Sequence, residues 1–136
     1  MPVTRGFNHV ATLSTDLDRT VRFYEAAFDA VVTFEMAKTD DHPRMVILDV
    51  GGGGMLNVFE VDEADIVGDR RRQGGRGAID HFALMVDSHA TLVQMQDRLL
   101  AAGAEIGDVQ QLGSEWSLFF RDPDGMELEV CAPADA

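Results

Sequence analysis

The chain has 136 residues, which suits one domain or two half-size modules sharing a core. Hydrophobic residues make up 46% and charged residues 26%, a globular balance, and the formal net charge of −13 argues against nucleic acid or an anionic membrane as a partner. One cysteine allows no intramolecular disulfide, and Met-Pro-Val-Thr-Arg-Gly-Phe-Asn-His at the start has no apolar signal core, so the expected compartment is the cytoplasm.

Phe7 to Leu13 reads as a first strand, with Phe7, His9, Ala11 and Leu13 on one face. Ser14-Thr15-Asp16 offers N-cap residues for a helix running to Phe28. Leu17, Val21, Tyr24 and Phe28 form its expected core side. Val31 to Met36 is strand-like, Thr39 to Pro43 is a polar turn, and Arg44 to Val50 and Met55 to Val61 are further strands. Gly51 to Gly54 leads from strand into strand, so it reads as a hairpin turn; a phosphate loop would lead into a helix. Residues 62–77 form a linker whose basic part, Asp69 to Arg76, reads as a solvated connector, or as a clamp for an anionic substrate tail.

Ile79 to Val86 opens a second series, with Phe82, Leu84 and Val86 on one face and His81, Ala83 and Met85 on the other. A helix from His89 to Ala102 carries Leu92, Met95 (or Val93), Leu99 and Leu100 as its core side and stops at Gly103. Glu105 to Gln111, Trp116 to Arg121 and Met126 to Ala132 are the remaining strands. Asp122-Pro123-Asp124-Gly125 is turn chemistry, because proline presets φ and glycine accepts φ > 0.

The two series match at a fixed offset of 72 residues. Asn8-His9-Val10-Ala11 falls on Asp80-His81-Phe82-Ala83, and Leu56-Asn57-Val58 on Leu128-Glu129-Val130. The sequence is therefore two copies of one strand–helix–strand–strand–strand unit. Each copy has a histidine on its first strand and a polar residue on its last.

His9, His81 and Glu129 all lie on strand faces opposite the helix side. A carboxylate in a largely buried strand needs a partner, and a metal ion is one. Two imidazoles and one carboxylate from three strands leave open positions for substrate and suit Fe2+, Mn2+, Ni2+ or Zn2+. Other candidates are Glu127 as a general base, Trp116 and Phe119 as a substrate wall, and Arg44 and Arg121 for a substrate carboxylate. Each also has an ordinary structural reading. His42 and His89 read as surface residues, and Cys131 as a buried small residue.

On Asn8-His9-Val10, Phe23-Tyr24, Asp80-His81-Phe82-Ala83, Asp122-Pro123-Asp124-Gly125 and Leu128-Glu129-Val130, the chain resembles the glyoxalase / bleomycin-resistance / dioxygenase family, the vicinal oxygen chelate superfamily, over residues 6–131. The resemblance implies an α+β fold in which two βαβββ modules, 6–61 and 78–131, build a partly closed U-shaped barrel with helices outside. It also implies a homodimer, and a divalent metal that chelates a small substrate through two neighbouring oxygens. The family's ligand positions fall on His9, Asn57, His81 and Glu129. Asn57 departs from the glutamate of glyoxalase I. Phe119, where ring-cleaving dioxygenases have tyrosine, and Gln110 or Gln111, where they have histidine, lower that reading, since phenylalanine moves no proton. The expected activity is thus a metal-dependent lyase or isomerase, with oxygenation or transfer behind it. The competing reading is a bleomycin-resistance-type module that binds a drug without turnover.

Overall fold

Ser14 and Asp16 convert the first strand into the first helix. Asp16 caps the helix by accepting from the Arg19 amide at 3.1 Å, and the Ser14 hydroxyl accepts from the Asp16 amide at 3.1 Å. At the other end Asp29, at φ 54°, takes the left-handed cap position that glycine usually fills, and its N–H returns to Glu25 and Tyr24 carbonyls. The computed structural model in which these contacts are seen describes residues 1–68 and 77–134. Its α+β chain forms two units, Met1–Ile66 and Val67–Ala136.

The first unit runs β1 (His9–Ser14), α1 (Leu17–Phe28), β2 (Val31–Met36), β3 (Met45–Gly51) and β4 (Gly54–Glu60). Its sheet has the order β1-β4-β3-β2, with β1 and β4 parallel and the other pairs antiparallel. The glycine run is the β3–β4 hairpin turn, where Gly52 (φ 61°) and Gly53 (φ 81°) both adopt the positive φ that such a two-residue turn demands.

The second unit runs β5 (Phe82–Met85), α2 (His89–Ala101), β6 (Glu105–Ile106), β7 (Gln110–Leu112), β8 (Glu115–Arg121) and β9 (Glu127–Pro133). Its order is β5-β9-β8-β6, with β7 also pairing β8. In the turn before β9 the Asp122 carboxylate accepts from the amides of Asp124 and Met126, at 2.9 and 3.0 Å. The register repeats across the two units. Asn57 lies between Ala11 and Ile47, and Glu129 lies between Ala83 and Phe119.

Three sequence expectations are corrected. Helix α1 buries Leu17, Thr20, Phe23, Tyr24 and Ala27, while Val21 and Phe28 stay half-exposed. Its inward face is rotated because the Ser14 hydroxyl, 3.0 Å away, satisfies the Thr20 hydroxyl and lets a polar residue go inside. In α2 the core residues are Leu92, Met95 and Leu99; Val93 and Leu100 are 41% and 57% exposed, one step off the stripe. The strand expected over Glu105 to Gln111 breaks at Gly107, whose amide donates to the Phe119 carbonyl, and its two pieces pair separately with β8. Among the described residues no helix is long and apolar enough to cross a membrane.

Candidate metal centre

Strand parity sorts the second unit's side chains. Leu118, Phe120, Leu128 and Val130 are fully buried on the α2 side. Glu129 therefore faces the other way, together with its cross-strand partner Phe119 and with Glu127, Cys131, Ser117 and Arg121. His81 directly precedes β5 and stands diagonal to Glu129, because Ala83 is Glu129's direct partner. His81 Nε2 and Glu129 Oε1 are 3.3 Å apart. Two donors about 2.1 Å from one ion stand roughly 3.0–3.4 Å apart, so this spacing fits shared ligation.

Both groups are held from behind. His81 Nδ1–H donates to Asp80 at 2.7 Å, which orients the ring and leaves Nε2 on the Glu129 side. The Ser117 hydroxyl donates to Glu129 Oε2, leaving Oε1 toward His81. The Phe119 ring meets the His81 ring edge-on, with centroids 5.2 Å apart. The sequence reading singled out neither Asp80 nor Ser117 for these roles. Asp80 was legible as the residue before a repeated histidine. Ser117 was not, because its role depends on the β8–β9 register.

The first unit repeats half of this. His9 Nδ1–H donates to Asn8 at 2.8 Å, again leaving Nε2 outward. Asn57 Oδ1 is shielded from solvent and accepts no hydrogen bond. A buried oxygen without a donor is able to accept from a water, a ligand or a cation. Among the described residues no three His, Cys, Asp or Glu side chains gather closely enough to hold an ion. Within each unit the donors are of kinds a divalent ion takes: an imidazole and an anchored carboxylate in the second, an imidazole and an unsatisfied amide oxygen in the first.

The other candidates separate by face. Trp116 pairs with Ala132 on the helix side, and the His89 ring lies 4.2 Å from its own, so Phe119 rather than Trp116 shares the face of Glu129. Arg121 pairs with Glu127, its cross-strand partner, at 3.9 Å and with Glu105 at 3.8 Å. Arg44 is bound to Asp18 at 2.7 Å and to Glu35 at 2.9 Å, with Glu60 3.9 Å away. Asp18 and then Glu35 push its guanidinium above the ordinary value, and the Arg44 hydrogen bond holds the Asp18 carboxyl below its own. Glu60 also accepts from the Leu17 amide at 2.8 Å, so Arg44 and Glu60 fasten β3 and β4 to the start of α1. His42 lies against Phe59 and is half-buried. Burial first, then the Glu129 and Glu115 carboxylates, push the Cys131 thiol up to about 12. The possible clamp over Asp69 to Arg76 lies outside the described residues.

The Glyoxalase/Bleomycin resistance protein/Dioxygenase superfamily model matches residues 6–130. Metallothiol transferase FosB of Shouchella clausii (strain KSM-K16) is 30% identical over 133 residues, covering 94% of this chain and 80% of that protein. A glyoxylase/bleomycin resistance protein/dioxygenase domain from Frankia sp. EAN1pec superposes with a TM-score of 0.80 at 28% identity, covering 96% of this chain and 98% of its own. The fosfomycin resistance protein FosX from Listeria monocytogenes, complexed with Mn(II) and sulfate ion, superposes with a TM-score of 0.72 at 20% identity, covering 96% and 92%, a likeness of fold.

Proposed function

Because the chain belongs to the Glyoxalase/Bleomycin resistance protein/Dioxygenase superfamily, we propose that it is a metal-dependent enzyme acting on a small molecule with two neighbouring oxygens. His9, His81 and Glu129 hold the ion, and Asn57 offers its amide oxygen as a further, neutral ligand. The observation that carries this reading is the His81–Glu129 pair, set 3.3 Å apart and anchored on both outer sides. The Mn(II) held by the FosX neighbour and the name of the FosB relative support a divalent ion.

A bound divalent ion supplies Lewis-acid polarisation of the chelated oxygens. The chain's own residues do the rest. Asp80 and Asn8 orient the two imidazoles through their Nδ1 atoms, and Ser117 keeps Glu129 turned. Phe119 forms a dry wall beside His81. Glu127, one residue pair toward the turn, is the carboxylate placed to take a proton, with Arg121 beside it for an anionic group on the substrate. The 30% identical relative is named a transferase, so group transfer stands ahead of the lyase or isomerase chemistry expected from the sequence, and oxygenation behind both. A homodimer working in the cytoplasm is the matching setting.

The test is elemental analysis of protein purified without chelator, beside turnover assays on vicinal-oxygen substrates. His9→Ala and Glu129→Ala are each expected to lose both metal and turnover. Full metal retention in either variant contradicts the assignment. Wild-type protein without metal that binds an aromatic drug tightly and turns nothing over establishes sequestration instead.

A further inference from the structure

We propose that Ser117 is a positioning residue for the metal, selecting which oxygen of Glu129 is presented to the ion. The inference rests on the reading above that Glu129 and His81 are ligands. A carboxylate is two-fold about its last torsion, so nothing intrinsic to Glu129 distinguishes Oε1 from Oε2. Ser117 breaks that symmetry. It sits on β8 diagonal to Glu129, as the direct partner of Cys131, and is 1% exposed. A hydroxyl buried that deeply needs an acceptor, and it takes Oε2. Oε1 is left as the atom 3.3 Å from His81 Nε2. Hydrogen bonds to an ionised carboxylate are roughly twice as strong as neutral ones, which is enough to hold one rotamer.

The duplicated architecture supplies an internal control. The residue 72 positions before Ser117 is Met45, and the residue 72 positions before Glu129 is Asn57. The first unit therefore lacks the hydroxyl where it lacks the carboxylate, and there the amide oxygen has no donor. Donor and carboxylate occur together in one unit and are missing together in the other. This is the pattern of a positioning pair; a serine buried for packing alone would have no reason to follow the carboxylate.

The experiment is Mn2+ titration of metal-free protein, read by the electron paramagnetic resonance signal of free Mn2+. Ser117→Ala is expected to bind Mn2+ about 10–100-fold more weakly with an unchanged circular dichroism spectrum, and Ser117→Thr, which keeps the hydroxyl, to recover most of the loss. Should the alanine variant misfold, Ser117→Cys keeps the size with a weaker donor, and a several-fold loss is expected. Wild-type Mn2+ affinity in folded Ser117→Ala, or in Ser117→Cys, overturns the proposal. Glu129→Gln is titrated in parallel. If it retains Mn2+, the ligand reading itself has failed; if it loses Mn2+ while Ser117→Ala does not, only the role of Ser117 has.

Discussion

The two units share the order and register of their central strands, yet their two sheet faces differ in what the matched positions hold. On the helix side the matched positions are Val46 and Leu118, Leu48 and Phe120, Leu56 and Leu128, and Val58 and Val130, all apolar and at most 1% exposed. On the other side the matches are Met45 and Ser117, Ile47 and Phe119, Asp49 and Arg121, Met55 and Glu127, Asn57 and Glu129, and Phe59 and Cys131. Only two of these pairs, Ile47 with Phe119 and Phe59 with Cys131, stay apolar in both units. Close packing against a helix tolerates little besides apolar volume, so the first face could not drift. On the second face the second unit carries Ser117, Arg121, Glu127 and Glu129 where the first carries Met45, Asp49, Met55 and Asn57.

The helix-side half of this comparison gives the largest effects. Leu56→Ala and Leu128→Ala should each destabilise by about 2–5 kcal/mol in urea unfolding, with similar values for the two. A tolerated change at one of them would break the claim that both cores are equally constrained. Next comes the functional face, where the copies should differ. Glu129→Ala should weaken Mn2+ binding by roughly 10³-fold or more, about 4 kcal/mol, while Asn57→Ala costs tenfold or less, as measured by isothermal titration calorimetry. Equal losses would mean the copies contribute alike.

Converting one copy toward the other sharpens the point further. Asn57→Glu without metal should destabilise by about 1–3 kcal/mol, because the new carboxylate finds no donor among Met45, Ile47 and Met55. Adding Met45→Ser, or Mn2+, should reverse part of that loss. The smallest effect concerns Asp18, held below its ordinary value first by the Arg44 hydrogen bond and then by its charge. A lowered carboxylate adds stability above its unfolded value and loses it as pH falls through the folded one. Asp18→Asn should therefore lower Tm slightly at neutral pH, and the difference should fade in acid and at about 1 M salt.

The succession of elements in each unit and the two-sided strands were legible because they rest on patterns that local chemistry enforces: alternation, helix caps and turn residues. What was not legible depended on tertiary context. Thr20 inside and Val21 partly outside follow from a hydroxyl six residues upstream. Trp116 looked like a substrate wall until β8 parity turned it toward His89. Arg44 looked like a free cation until Asp18 and Glu35, 26 and 9 residues away, closed on it. The anchoring serine belonged to a register that no local pattern encodes.

Cys131 is the chain's single cysteine, and its thiol is 6% exposed and held near 12. A buried thiol with a raised pKa carries little of the reactive thiolate, so maleimide dyes and spin labels are expected to react with it slowly. A cysteine engineered into any exposed loop becomes the sole attachment point without first deleting the native one. The scaffold is in effect ready for spectroscopic probes, with its own sulfur buried beside the Glu129 carboxylate.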